Sequence, residues 1–374
     1  MMNGWKECKL EEVAEVQTGP FGSQLHQSDY KAMGTPIITV EHLGDNRIIH
    51  SNLPLVGNAD KERLKKYTLK KGDVVFSRVG SVDRCAFVHE NEDGWMFSGR
   101  LLRVRAKENL ANPRFLSFYF SQESFKETIR MIAVGATMPS INTGILSNVD
   151  ILLPPLPEQR AIAGVLSSLD DKIDLLHRQN KTLEGMAEAL WREMFVEEAD
   201  PRRKSGTLGD LVELCYGKAL REDQRIPGKF PVIGSNGIVG YHNDFLVKGP
   251  GIVIGRKGTL GVVNYIEDDF FPIDTTYFIK SKTNSGKLYF EYFLLKEFSF
   301  EEMNSDSAVP GLNREIAESM EFLVPAEESI HKFNNSCEPL FTKKMKNENQ
   351  IRTLSRLHDT LLPKLMSGEV RVQA

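Results

Sequence analysis

The residues best suited to chemistry sit in two short loops, each following an apolar, strand-like run. Arg78-Val79-Gly80 comes after Val74-Val75-Phe76, and Arg256-Lys257-Gly258-Thr259 comes after Ile252-Val253-Ile254. A guanidinium is a planar fork of donors that matches phosphate oxygens or the edge of guanine, and a nearby glycine lets a ligand approach the backbone. The chemistry on offer is recognition of an anion or a base, with Arg78, Gly80, Arg256, Lys257 and Thr259 as its carriers. A second pair of loops is also duplicated: Ala136-Thr137-Met138-Pro139-Ser140-Ile141-Asn142 and Ser307-Ala308-Val309-Pro310-Gly311-Leu312-Asn313. Thr137 joins the candidates there; the competing reading is that these loops are turns the fold requires.

Bond-making chemistry has no comparable carriers. No GxGxxG opens a helix after a strand, and the run from Gly251 to Thr259 misplaces its lysine for a phosphate loop. No Asn- or Asp-Pro-Pro-aromatic tetrapeptide of an amino-methyltransferase occurs, and the eight histidines form no HExxH. Pro272-Ile273-Asp274 lacks the Asp/Glu-x-Lys strand that would complete a nuclease cluster. Cys8, Cys85, Cys215 and Cys337 are too scattered for metal or disulfide pairing and read as buried or indifferent thiols in a reducing cytoplasm. A binding chain, with no metal and no cofactor of its own, is the expectation.

The elements that must hold these loops follow from periodicity. Residues 1–153 read as a mixed α and β domain, with strand-like runs at 35–40, 73–77 and 101–105 separated by turn residues. A helix follows in which Asn112 caps, Pro113 opens, and Phe115, Phe118, Tyr119, Phe125 and Ile129 share a flank. Residues 201–326 repeat this plan, with strands near 252–254 and 277–279 and a helix from about Lys287 to Met303.

Residues 154–200 and 327–374 are of another kind. From Pro157 onward Ile162, Leu166, Leu169, Ile173, Leu176, Leu183, Ala187, Leu190 and Met194 alternate spacings of four and three, interrupted only by Asn180. That is a coiled-coil seam, and a buried Asn in such a seam sets register. The second helix, about Ser329 to Thr360, keeps Leu340, Ile351, Leu354, Leu361 and Leu365 in register, but Lys344, Asn347 and His358 interrupt it and Pro363 should end it. Residues 158–200 carry 5 basic and 10 acidic side chains and residues 327–374 carry 8 and 6, so the two helices are expected to pair antiparallel.

An internal repeat ties the halves together. At a shift of 171 positions, 11 of the 57 residues from Pro139 to Phe195 are identical without a gap, a span too long for a solenoid unit. The 374-residue length suits two such modules, and no apolar run of 18 residues suggests a membrane span. The first ten residues lack the apolar stretch of a secretory leader, which places the expectation in the cytoplasm. Net charge is −4, so any nucleic-acid surface must be local. Two basic runs are candidates, Lys61 to Lys71 and Arg100 to Lys107; each could instead be a solvated face.

The run Leu153-Pro154-Pro155-Leu156-Pro157-Glu158-Gln159-Arg160-Ala161-Ile162-Ala163, continuing to Leu190-Trp191-Arg192, resembles the central conserved region of type I restriction–modification specificity subunits. Leu361-Leu362-Pro363-Lys364-Leu365-Met366-Ser367-Gly368-Glu369 looks like their distal conserved region. Gly19-Pro20-Phe21-Gly22-Ser23 and Pro231 to Gly237 are similar to segments that open their target-recognition domains. The second repeat departs from the pattern, with Glu327-Glu328-Ser329-Ile330 where the Pro-x-x-Glu-Gln signature often recurs. The resemblance implies an α+β chain with two target-recognition domains, 1–153 and 201–326, and two antiparallel helices, 154–200 and 327–374. It implies a non-catalytic subunit that reads a split double-stranded DNA site, with two methyltransferase subunits docked on the helices and restriction/translocase subunits joining them. S-adenosylmethionine, ATP and Mg2+ would belong to those partners, and no membrane is involved. On this reading Ser23, Lys71, Arg78, Gly80, Thr137, Asn236, Arg256, Lys257 and Thr259 face DNA. Glu158, Gln159, Arg160, Leu169, Ile173, Leu183, Leu354 and Leu361 face partners. The alternative is a coiled-coil scaffold presenting two protein-binding domains.

Overall fold

The computed structural model describes residues 4–20, 22, 24–197, 203–283, 286–300 and 311–372. Four helices position the rest: α1 (Pro113–Ser121), α2 (Leu156–Arg192), α3 (Tyr289–Glu297) and α4 (Glu327–Met366). Contacts divide the chain into two compact units, one of Met1–Asp174 with Arg352–Ala374, the other of Leu175–Ile351.

The first unit holds a four-stranded antiparallel sheet of β1 (Ala14–Thr18), β2 (Val74–Ser77), β3 (Cys85–Phe87) and β4 (Leu101–Ala106), in the order β1-β4-β2-β3. The second unit repeats it with β5 (Val212–Tyr216), β6 (Gly251–Gly255), β7 (Val263–Ile266) and β8 (Thr276–Ser281), in the order β5-β8-β6-β7. Each unit adds a smaller sheet with one parallel pairing: Ile37 and Ile38 lie beside Met96 and Phe97, and Val232 and Ile233 lie beside Phe271 and Pro272. Every residue of β2 and of β6 is buried, because each is an interior strand covered on both faces.

Each core takes in part of both long helices. In the first unit Ile162, Ala163 and Leu166 of α2 pack with Phe115 and Phe118 of α1 and with Leu365 and Met366 of α4. In the second unit Trp191 of α2 stacks among Phe290 and Phe293 of α3 and Phe333 of α4. The helices run antiparallel within each unit. Asp170 faces His358 while the earlier Glu158 faces the later Arg371; Asn180 meets Asn347 while the later Trp191 meets the earlier Phe333.

Two of the three polar interruptions of the α4 seam are bonded from α2, and the third stands near an acid on it. Lys344 Nζ lies 2.9 Å from Glu184 Oε2, Asn347 Nδ2 donates to Asn180 Oδ1 at 2.9 Å, and His358 Nε2 stands 3.6 Å from Asp170. Pro363 does not end α4, contrary to the sequence expectation: the helix runs on to Met366, and the Ser367 N–H bonds back to the Pro363 carbonyl. An interior proline costs about 3 kcal/mol. Burial of Leu365 and Met366 just beyond it returns about 1.5–3 kcal/mol each.

Two helix expectations are shortened. The helix after Asn112 breaks at Gln122 and resumes at Glu123–Ile132, and α3 ends at Glu297 with Phe298 as its cap, short of Met303, which lies outside the described residues. The four thiols are free, and burial pushes Cys85 and Cys337 up to about 12.

Glu184 supplies a pH test of the helix pairing. Burial alone would raise its carboxyl. The hydrogen bond and charge of Lys344, with Tyr292 and Lys296, outweigh that and hold it at about 2, below the ordinary 4.5. A depressed carboxylate stabilises the fold above its unfolded value and loses that contribution as pH falls toward its folded value. Glu184→Gln should destabilise the chain at pH 7 by about 1.5–3 kcal/mol, with the gap to wild type closing between about pH 4.5 and 2. Denaturant melts across that range check it; a gap independent of pH would show that the carboxylate contributes nothing.

Candidate nucleic-acid interface

Both sequence-predicted arginine loops fold into one seat, built twice. Arg78 follows β2: its N–H donates to the Arg100 carbonyl at 2.9 Å, its carbonyl accepts from Ile141 N–H at 2.9 Å, and its Nη1 reaches the Gly99 carbonyl at 3.3 Å. Arg256 follows β6: its N–H donates to the Thr275 carbonyl at 2.9 Å, its carbonyl accepts from Leu312 N–H at 3.0 Å, and its Nη1 reaches the Asp274 carbonyl at 3.4 Å. Ile141 and Leu312 are the 171-residue repeat of one another. The Arg-x-Gly loop and the Pro-and-Asn loop, far apart in sequence, are therefore zipped together in each unit.

Small residues make the seat possible. Gly80 and Gly258 sit at φ +73 and +80, a left-handed conformation that glycine adopts without strain. At the neighbouring strand end, Gly19 and Gly217 donate to the Leu101 and Thr276 carbonyls, each at 3.2 Å. A Cβ on Gly19 would lie 2.1 Å from the Ser98 carbonyl oxygen, and one on Gly217 would lie 2.2 Å from that of Ile273. Asn142 and Asn313 cap short helices, Thr143–Ser147 and Arg314–Glu318, so these asparagines serve the fold.

Around the seats the two units differ. In the first, a cleft of about 860 Å³ is lined by Arg78, Arg84 and Arg100 with His26, Tyr30 and a single acid, Glu41. In the second, half-buried Ser235 and exposed Asn236 lie beside the Arg256 loop: the Ser235 hydroxyl would be 3.4 Å from a Cβ on Gly258. Lys257 and Thr259 are exposed there. The Arg256 guanidinium lies over Tyr216, 4.8 Å from the ring centre, and that of Arg314 lies 5.5 Å from the same ring. Tyr216 and Arg314 carry no local sequence signal, and the fold alone reveals them.

Other predicted residues fall elsewhere. Ser23 lies outside the described residues, as does the segment 307–310 of the second Pro-and-Asn loop. Thr137 is exposed in a loop closed by reciprocal Val134–Ser140 hydrogen bonds. Lys71 is exposed but tied to Glu90, which offsets its charge. Parts of the two basic runs are paired in the same way, while Arg100 lines the cleft beside Arg78. Arg63 pairs with Asp60 and Lys65 with Glu62, while Arg103 is buried against Glu15 and Arg105 against Asp73.

On the helices Gln159 is buried and spent inside the chain, accepting from Asn112 N–H and donating to the Pro154 and Leu110 carbonyls. It anchors the start of α1 and offers no surface, which corrects its assignment to a partner. Asn334 does this work for α3, accepting from Phe290 N–H and donating to the Lys287 carbonyl. The second repeat has Ile330 at the position of Gln159 and anchors its helix from Asn334, one turn later. Arg160 is exposed, Glu158 bonds Trp5, and Leu169, Ile173, Leu183, Leu354 and Leu361 are half-buried. Leu175, Met186 and Leu357 are the apolar helix residues that project into solvent. Among the described residues no acid, His and Cys group could hold a metal ion, and no helix is long and apolar enough to cross a membrane.

The family profile described as the type I restriction modification DNA specificity domain matches residues 2–185 and again 203–352. The chain is 27% identical over 414 residues to the type I restriction enzyme MjaIX specificity subunit of Methanocaldococcus jannaschii, covering 99% of this chain and 94% of that one. It is 28% identical over 236 residues to the HindI specificity subunit of Haemophilus influenzae, spanning 62% of this chain and 49% of that one. Its fold matches the crystal structure of a type I system S subunit from M. genitalium with a TM-score of 0.67 at 19% identity, covering 98% and 97% of the two chains.

The seat geometry predicts that Gly19→Ala and Gly217→Ala each lower stability by about 1–3 kcal/mol through forced backbone movement. Gly164→Ala, at a helix position with open space around its Cβ, should be neutral or stabilising. Thermal melts of the three variants check this, and equal melting temperatures would remove the close approach from the account.

Proposed function

Because the chain belongs to the type I restriction modification DNA specificity family, we propose that it reads a split DNA target for a methylating and restricting assembly, each unit recognising one half. The observation that carries this reading is the doubled arginine seat. Two equivalent scaffolds present a part-buried guanidinium that bonds a backbone carbonyl and that no acid among the described residues neutralises. A part-buried cation held without a counter-ion favours an anionic ligand, and duplex DNA offers both phosphates and guanine edges.

Methyltransferase subunits dock on the long helices, where Leu175, Met186 and Leu357 are exposed apolar residues and Arg160 an exposed charged one. S-adenosylmethionine, ATP and Mg2+ are bound by those subunits and by a restriction/translocase subunit. The chain itself performs no bond-making step; its part is to bind and orient the duplex. With 37 residues in α2, a length of roughly 55 Å, the helix pair sets the gap between half-sites, and a DNA turn is about 34 Å.

The test is to co-express the chain with its methyltransferase subunits and map N6-methyladenine over a genome. One split motif with a fixed gap is expected, and a stable complex that methylates without sequence preference would refute the reading. Arg78→Ala should relax recognition of one half of that motif while leaving the other intact. Equal weakening for every sequence would instead mark Arg78 as a phosphate contact.

A further inference from the structure

The second unit carries an aromatic and guanidinium cluster that the first unit lacks at the same positions. Tyr216 is the last residue of β5 and pairs with Tyr277 on β8; the corresponding pair in the first unit is Thr18 with Leu102. Arg314 opens the helix after the Asn313 cap; the residue 171 places earlier is Thr143, which opens the helix after Asn142. One unit thus holds two tyrosines and two arginines where the other holds the seat arginine with Thr18, Leu102 and Thr143.

The cluster has a particular chemistry. Arg256 lies against Tyr216 and, at 5.5 Å, against Tyr277, whose hydroxyl is fixed by the Leu312 carbonyl at 3.0 Å. Arg314 lies against Tyr216, and its Nε is buried with no partner. Neither guanidinium is paired with an acid among the described residues, so aromatic faces and one backbone carbonyl hold both. Stacking on a ring fixes the plane of a guanidinium and leaves its donor edge outward. Tyr216 itself is 49% exposed. Two guanidinium groups held against a half-exposed ring suit a flat ligand with an acceptor edge, such as a base.

We infer that Tyr216, Arg314 and Arg256 form a guanine-reading cluster peculiar to the second unit, recognising the O6 and N7 edge of a G·C pair in its half-site. This rests on the DNA-reading function proposed above and names the base that one half of the chain selects. The first unit, with Thr18, Leu102 and Thr143 in the equivalent places, reads its half-site without this contact. Nearly identical scaffolds then recognise unlike sequences.

The experiment uses the full complex of this chain with its methyltransferase subunits and duplexes carrying the methylated motif. Each guanine is replaced in turn by 7-deazaguanine, which keeps base pairing and removes the N7 acceptor. One replacement should weaken wild-type binding by roughly tenfold or more. Arg314→Ala and Tyr216→Thr should weaken the unmodified duplex by a similar factor and lose nothing further on that substituted duplex, while Tyr216→Phe, which keeps the ring, should behave as wild type. A half-site without guanine, indifference to every 7-deazaguanine, or variants that weaken unrelated DNA equally would overturn the inference. If Tyr216→Thr fails to fold, Arg314→Ala with Tyr216→Phe decides. A wild-type complex that does not distinguish its motif from unrelated DNA would instead strike the proposed function itself.

Discussion

The structure depends on polar groups being matched inside the helix seams. An unpaired amide or charge in an apolar seam costs far more than a neutral substitution, so Asn347 and Lys344 restrict α4 to alignments that give each a partner. Asn180 and Glu184 supply those partners, and Asp170 stands 3.6 Å from His358. Apolar contacts alone would tolerate a slip of one heptad; the Asn180–Asn347 amide pair and the Glu184–Lys344 ion pair would not. Each core is built on these helices, so the alignment also decides which aromatic residues of α1 and α3 meet Leu166 or Trp191.

From the cores the constraint passes outward to the seats. Gln159 and Asn334, both buried on the long helices, bond to the backbone at the starts of α1 and α3. β2 and β6 run through the middle of their sheets and end at Arg78 and Arg256, each clasped from two sides by backbone hydrogen bonds. The duplication supplies two copies of a rigid frame, while the side chains around each seat diverge. A chain organised in this way can change what one unit reads without disturbing the frame that positions the other.

Much of this was legible in the sequence where the signal is periodic or local. The heptad seam of α2, the strands before each Arg-x-Gly loop and the Asn112 cap all appear as expected, because spacing and capping chemistry act over a few residues. The run from Arg100 to Lys107 misled in part because its partners are remote: Glu15 is 88 residues from Arg103, and Asp73 is 32 from Arg105. The apparent breaks at Lys344, Asn347 and His358 were illegible for the same reason, since their partners lie more than 150 residues away on α2. Gln159 belonged to a motif suited to partner binding, yet its burial and three hydrogen bonds are tertiary facts. Tyr216 and Arg314 gained meaning only once the fold brought a strand end and a helix start to the same loop cluster.

The most direct measurement is a structure of the assembled complex on duplex DNA containing its methylated motif. The account predicts that Arg78 and Arg256, still in their backbone seats, lie within hydrogen-bonding distance of two separate segments of the duplex, one in each half-site. A complex in which the DNA runs past other faces of the two units, with both seats turned to solvent, would contradict it.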